Sequence, residues 1–285
     1  MPIVRNYSRY KANTILYPSL SAFYEDQLRE GIQVLPFGDS VLEILVEDRK
    51  SDTTLVLFHA AVDPNQTTLP IFIGHQLTSE LEANLVFVSE PSLQFGASIG
   101  WYTGDPNRNL QEELVKVLNH IQVGLTTAEH LMFYGSSAGG FASLFYSHFF
   151  PNSLAIVANP QTNIAKYHPE HIQRFLERVW GTTEIGNVTA RTEVCSLYEE
   201  SFPNYVGYLQ NLDDDLHIVE HCRPWADVTR KFHERRKFMI EDWGEGHAPP
   251  NFFLLQGILE YAVSLHGDWA TFLDDESFSE EPTVG

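Results

Sequence analysis

Residues 135–139 read Gly-Ser-Ser-Ala-Gly, which sets Ser137 between glycines two positions away on either side. A serine in that frame can attack an acyl carbonyl, because a sharp strand-to-helix turn lifts its hydroxyl clear of the sheet. The turn is so tight that a Cβ two residues away would strike the adjoining strand or helix, which is why glycine is needed there. Ser136 lacks the frame, since Tyr134 and Ala138 stand at its flanking positions. A serine nucleophile also needs a base for its proton and a carboxylate to orient that base. His217, His221, His233 and His247 are candidates for the base, and Asp213, Asp214 and Asp215 form a run of adjacent carboxylates. A solvated turn or a helix N-terminus would account equally for two of the three aspartates.

The surrounding pattern supplies the elements that must position these groups. Short runs rich in Val, Ile, Leu and Phe predict strands over 31–36, 41–47, 54–59, 84–89, 130–134, 154–158, 205–210 and 236–241. The first two flank a Gly-Asp-Ser turn signal and are expected to pair antiparallel. The later ones alternate with helical spacing at 109–123 and 251–265, the order of a parallel sheet with crossover helices. Residues 161–204 are longer than a crossover needs and contain the helical stretch HPEHIQRFLERVW, so a small inserted lid is expected there. No internal repeat is present.

Strand, elbow and helix in this order resemble the α/β-hydrolase superfamily over residues 31–266. The resemblance implies an α/β fold with a mostly parallel eight-stranded sheet flanked by helices and a helical insertion after the sixth strand. It also implies the order serine, acid, histidine, with the histidine in the loop after the last strand. Gly246-His247-Ala248-Pro249-Pro250 follows the 236–241 strand, so His247 is the expected base, while His217, His221 and His233 precede that strand. The segment Gln210-Asn211-x-x-Asp214-x-x-His217-x-x-x-His221-x-x-Pro224 is similar to one in bacterial proteins of surface-glycan modification, including the accessory secretion protein Asp-two group. That narrower resemblance implies Asp214 as the acid and leaves His217 and His221 to line the site or hold its loop.

An oxyanion hole is expected from the backbone N–H of Ala138 and from Ala60, where Phe58-His59-Ala60-Ala61 replaces the common His-Gly run. His59, Trp101, Tyr102, Gln161 and His217 are expected substrate-binding residues, the aromatics being suited to stacking on sugar rings. No H-E-x-x-H, paired C-x-x-C or G-x-x-x-x-G-K-[ST] occurs, so neither a metal nor any other cofactor is expected.

Composition sets the outer limits. A length of 285 residues with 43% hydrophobic content suits one domain over 1–267. From Asp268 to Gly285 come six acids and no Lys or Arg, an expected flexible tail. The net charge of -20 argues against nucleic acid or an anionic membrane as partner. Two cysteines, Cys195 and Cys222, write no disulfide framework, and no leader or apolar span of membrane length appears, so a cytoplasmic protein is expected. The expected activity is hydrolysis of an ester, carbohydrate-linked or otherwise small and polar, through an acyl-enzyme. The alternatives are acyl transfer in surface-glycan modification by the same triad, or an assembly protein that keeps the fold without catalysis.

Overall fold

A computed structural model describes residues 4–63 and 68–282. Its strands are β1 (Thr14–Leu16), β2 (Gly31–Phe37), β3 (Ser40–Glu47), β4 (Thr53–Phe58), β5 (Asn84–Ser89), β6 (His130–Ser136), β7 (Leu154–Ala158), β8 (Tyr205–Asn211) and β9 (Arg236–Glu241). They form one nine-stranded sheet in the order β1-β2-β3-β5-β4-β6-β7-β8-β9. Only the β2–β3 and β3–β5 pairings are antiparallel. Every strand from β4 onward is parallel to its neighbours among β4–β9.

The expected eight strands are all present, and the count is corrected to nine by β1, which pairs parallel with β2 at the sheet edge. Three residues are too short to show an alternation. The hairpin between β2 and β3 turns on Gly38, whose φ of +56° is the left-handed conformation that favours glycine.

The helices are α1 (Leu20–Glu25), α2 (Leu110–Gly124), α3 (Ala138–Ser147), α4 (Pro169–Phe175), α5 (Cys195–Glu200), α6 (Asp215–His217), α7 (Arg223–Thr229), α8 (Phe252–Ser264) and α9 (Trp269–Leu273). β4, β5 and β7 are buried along their whole length, as parallel strands covered on both faces must be. One face packs against Leu114, Val117 and Ile121 of α2 and Phe141 and Phe145 of α3. The other packs against Leu255, Leu259 and Val263 of α8 and Trp269 and Phe272 of α9.

The expectation of a frayed tail from Asp268 is corrected by this second face. Trp269, Phe272 and Leu273 are buried, and Ser279 and Phe238 exchange backbone hydrogen bonds at 2.8 Å. Apolar residues spaced at one helical turn outweigh the acidic composition there. Residues 283–285 lie outside the described residues. Between β7 and β8, α4 runs on into a π-helical turn over Leu176–Trp180, and Phe175, Leu176, Val179 and Tyr198 pack into the core. Cys195 and Cys222 are both free thiols.

Candidate active site

The turn from β6 into α3 places Ser137 at φ +56° and ψ −116°, a strained conformation for a residue bearing a side chain. The reason for its glycines is visible in the surrounding atoms. A Cβ at Gly135 would lie 2.1 Å from Gly139 O, and one at Gly139 would lie 2.3 Å from Phe58 O. Ser137 N–H donates to Ala158 O, pinning the elbow to the end of β7. Ala138 opens α3, so its N–H is among the first-turn amides that have no acceptor within the helix. The end of β4 lies against the elbow through Phe58 and His59, and Ala60 continues from it.

The loop after β8 brings up the acid. Of the three adjacent aspartates only Asp214 is buried, and its Oδ2 accepts from His247 Nδ1 at 2.6 Å. Its Oδ1 accepts from His217 Nδ1 at 2.9 Å and from His217 N at 3.3 Å. Asp214 thus caps α6 and serves two imidazoles at once. Burial raises its pKa, but the hydrogen bonds and charges of His217 and His247 overcome this and hold the carboxyl well below the usual carboxylate range. Asp213 accepts from Gly246 N–H at 3.0 Å, which ties down the histidine loop. Asp215 is exposed at the start of α6.

His247 and His217 stack with centroids 4.0 Å apart and planes 18° from parallel. His217 is fully buried, and burial lowers its pKa against the raising effect of Asp214. Gln161 Nε2 lies 2.8 Å from both Ser137 Oγ and His217 Nε2. Trp101 Nε1 donates to Gln161 Oε1 at 3.1 Å. Among the described residues Ser137 Oγ is thus bonded through Gln161, and His247 meets the network at Asp214. His221 holds the same loop from the other side, its Nδ1 accepting from Thr162 N–H at 3.2 Å.

Two asparagines that sequence reasoning left without a role fix the histidine loop. Asn211 Nδ2 donates to Gly244 O and Gly246 O at 2.7 and 2.6 Å, and its Oδ1 accepts from Trp243 N at 2.8 Å. Asn159 Nδ2 donates to Ala248 O at 2.8 Å while its Oδ1 accepts from Asn211 N at 2.7 Å. Their signal was present in NPQTN and QNLDDD, strand-end asparagines beside the expected site residues. Tyr167 was also missed. It lies between β7 and α4, beside the Ser137 hydroxyl; burial raises its phenol pKa and the hydroxyl lowers it in part.

The expected substrate-binding set is corrected by burial. Tyr102 is 1% exposed; its hydroxyl accepts from His59 N at 2.8 Å and donates to Val88 O at 3.2 Å. His59 Nδ1–H donates to Ala60 O at 2.7 Å and its Nε2 accepts from Glu90 N–H at 3.1 Å, so both nitrogens are used in holding this loop. Trp101, 1% exposed, packs edge-on against Tyr167 and Phe175 and holds Gln161 by its indole N–H. Sugar stacking on Trp101 or Tyr102 is therefore not available in this conformation. Glu90, also buried, accepts from Tyr102 N–H and Ser92 Oγ, and burial pushes its pKa up to about 7. His233 stands away from this cluster, paired with Glu280 at 3.7 Å.

Asp214, His217 and His247 offer possible metal-ligand atoms within 4.8 Å of one another. Nδ1 of each imidazole is already engaged by Asp214. Among the described residues, no helix is long and apolar enough to cross a membrane. A cavity of about 940 Å³ lies at the opposite edge of the sheet, lined by His130 and Ser153 near the starts of β6 and β7, with Lys116, Phe149 and Gly267.

No protein-family model and no curated protein matches the sequence. Solved structures do match. The capsule O-acetyltransferase of Neisseria meningitidis serogroup A aligns with TM-score 0.60 at 13% identity over 83% of this chain and 96% of its own. An S-formylglutathione hydrolase from Agrobacterium tumefaciens aligns with TM-score 0.53 at 15% identity over 84% and 94%. A glycosylation-associated protein complex from Streptococcus agalactiae aligns with TM-score 0.58 at 12% identity over 86% of this chain and 47% of that one.

Proposed function

We propose that this chain, which carries the α/β-hydrolase fold, is a serine esterase that works through an acyl-enzyme on Ser137. The observation that carries this reading is the Asp214–His247 pair at 2.6 Å, together with a serine held at φ +56° on an elbow and linked to Asp214 through Gln161 and His217. In this reading Ser137 Oγ attacks the acyl carbonyl while His247 Nε2 takes its proton, and Asp214 compensates the imidazolium. The N–H groups of Ala138 and Ala60 stabilise the tetrahedral oxyanion, the former at the positive end of α3. His247 then returns the proton to the leaving alcohol. Water, activated by the same imidazole, cleaves the acyl-enzyme and frees the acid.

Ser137 is 5% exposed with Tyr167 beside its hydroxyl, and in this reading Tyr167 moves aside to admit substrate. The substrate is an ester on a carbohydrate or another small polar molecule. A second reading, acyl transfer to a sugar hydroxyl, is supported by the likeness to the capsule O-acetyltransferase and uses the same steps with an alcohol in place of water.

Fluorophosphonate should modify Ser137, and Ser137→Ala should abolish both labelling and esterase activity while the chain stays folded. Modification of Ser136 instead, or none at all, defeats the proposal. Measuring how the acyl group of a simple ester partitions between water and added sugar acceptors separates hydrolysis from transfer.

A further inference from the structure

Gln161 stands between the nucleophile and the second histidine. Its orientation is fixed by Trp101, because an indole N–H can only donate and therefore faces Oε1, at 3.1 Å. Nε2 is then the donor end, and its two protons have two acceptors, Ser137 Oγ and His217 Nε2, each at 2.8 Å. His217 Nε2 must be bare to accept. The single proton of that ring lies on Nδ1, where Asp214 Oδ1 accepts it at 2.9 Å.

We propose that Gln161 is a positioning residue that locks His217 neutral, so that Asp214 compensates only one imidazolium, on His247, and that it steadies Ser137 Oγ for attack. The proposal rests on the esterase reading for the roles of Ser137 and His247. A second proton on His217 would point an N–H at the amide N–H of Gln161, leaving two donors face to face inside the fold. It would also set a cation against the stacked His247 ring, 4.0 Å away, when that ring takes the serine proton.

The other groups facing His217 are His221 and Tyr167, with centroids 5.1 and 5.8 Å away, and His168 at longer range. Among the described residues the hydrogen bond at His217 Nε2 is with Gln161 and with none of these three. Burial and the charges of His247 and His168 favour the neutral ring; Asp214 alone opposes them. For Ser137, accepting the Gln161 N–H uses one lone pair and does not engage the hydroxyl proton, which passes to His247 in the esterase reading once Tyr167 beside it gives way. That bond strengthens as charge builds on Oγ during attack.

The test is nitrogen NMR of histidine-labelled protein, read beside the pH dependence of fluorophosphonate labelling. In the unmodified protein His217 is expected as the neutral Nδ1–H tautomer throughout the pH range in which labelling falls. Gln161→Glu gives Nε2 an acceptor, so His217 should then protonate within that range and a second ionisation should enter the labelling profile. Gln161→Ala removes both donors and should slow labelling tenfold or more at every pH. Protonation of His217 in the unmodified protein at the pH where labelling falls would overturn the proposal, as would a titration that Gln161→Glu leaves unmoved. The tautomer is read without any turnover, so it stands or falls separately from the esterase reading, which fails if Ser137 is never labelled.

Discussion

His217 and His247 lie face to face at 4.0 Å, each giving its Nδ1 proton to the carboxylate of Asp214. One acid thus holds two rings, and loss of its charge strikes both. Asp214→Asn puts an amide donor opposite one Nδ1–H and removes the compensation of an imidazolium. Esterase activity should fall by roughly three to four orders of magnitude in kcat, with KM little changed. A loss below tenfold would remove Asp214 from the mechanism.

Its neighbour Asp213 acts on the same loop by a different route, accepting only the N–H of Gly246. Asp213→Asn keeps an acceptor oxygen and should cost activity less than about threefold, whereas Asp213→Ala frees that amide and should cost more. Asp215→Asn, at an exposed position, should be silent. Equal losses in all three positions would show that the loop as a whole, rather than one carboxylate, carries the effect.

Asn211 holds that loop with more bonds than either flanking aspartate. Its side chain binds Gly244, Gly246 and Trp243, and it is itself fully buried. Asn211→Ala leaves these groups without partners, so roughly 1–3 kcal/mol of stability should be lost. His247 should no longer be held at Asp214, and labelling of Ser137 should slow more than urea unfolding alone would explain. Equal labelling rates for variant and parent protein would show that the loop is held by Asn159 and Asp213 without it.

The sequence displayed the sheet because parallel strands buried on both faces must be continuously apolar, as Leu55, Val56 and Leu57 of β4 are. Ser137 was legible for a local reason, the clash that any Cβ at Gly135 or Gly139 would cause. Asp214 was legible only through a resemblance, since burial of one aspartate among three is decided by the fold. Gln161 was singled out, but its partners lie 24 residues away at Ser137 and 56 away at His217, beyond what spacing along the chain can show. The burial of His59, Trp101 and Tyr102 was not legible, because an aromatic near a strand end looks the same whether it faces a ligand or props a loop. The tail was misread because its composition is acidic while its helical apolar face, Trp269, Phe272 and Leu273, is short.

Gly139 tests the elbow without touching a reactive group. A Cβ there meets backbone oxygens of Phe58 and His59 at 2.3 and 3.1 Å, and backbone of a central strand cannot rotate away as a side chain could. Gly139→Ala should therefore cost at least the roughly 1–3 kcal/mol typical of overpacking, and should remove labelling even in the fraction that folds. Gly257→Ala, in the interior of α8 with nothing outside its own helix backbone within 4 Å of the new Cβ, is the control and should leave labelling unchanged without lowering stability. A Gly139→Ala protein that labels at the parent rate would mean that the turn has more room than the elbow geometry allows.

Acid should destabilise the fold through its buried imidazoles. Burial lowers the pKa of His59 to about 4 and that of His221 to about 3. Each ring also has a nitrogen that accepts a backbone N–H, from Glu90 and Thr162 respectively, and protonation would cancel that bond. In the unfolded chain both take up protons below about pH 6.5. The unfolded state then binds more protons, so stability falls as pH drops from about 6.5 toward 4 and 3. Glu90 acts with the opposite sign, since its folded pKa of about 7 lets the folded chain gain protons first as pH falls. Glu43, also raised by burial, acts like Glu90, while His75, His148 and His171, lowered by burial, act like His59 and His221, so the histidines leave a net loss. Asp214 extends it at the acid end, because the stability of its depressed carboxyl is present above the unfolded value of about 3.9 and is lost below it. Urea unfolding at pH 7.5, 6 and 5 should show the loss of stability falling mainly between pH 6 and 5, since Glu90 offsets the histidines above pH 6. His221→Asn, whose Oδ1 can still accept from Thr162, should flatten part of that slope; a parent profile level across this range would refute the assignment of buried neutral imidazoles.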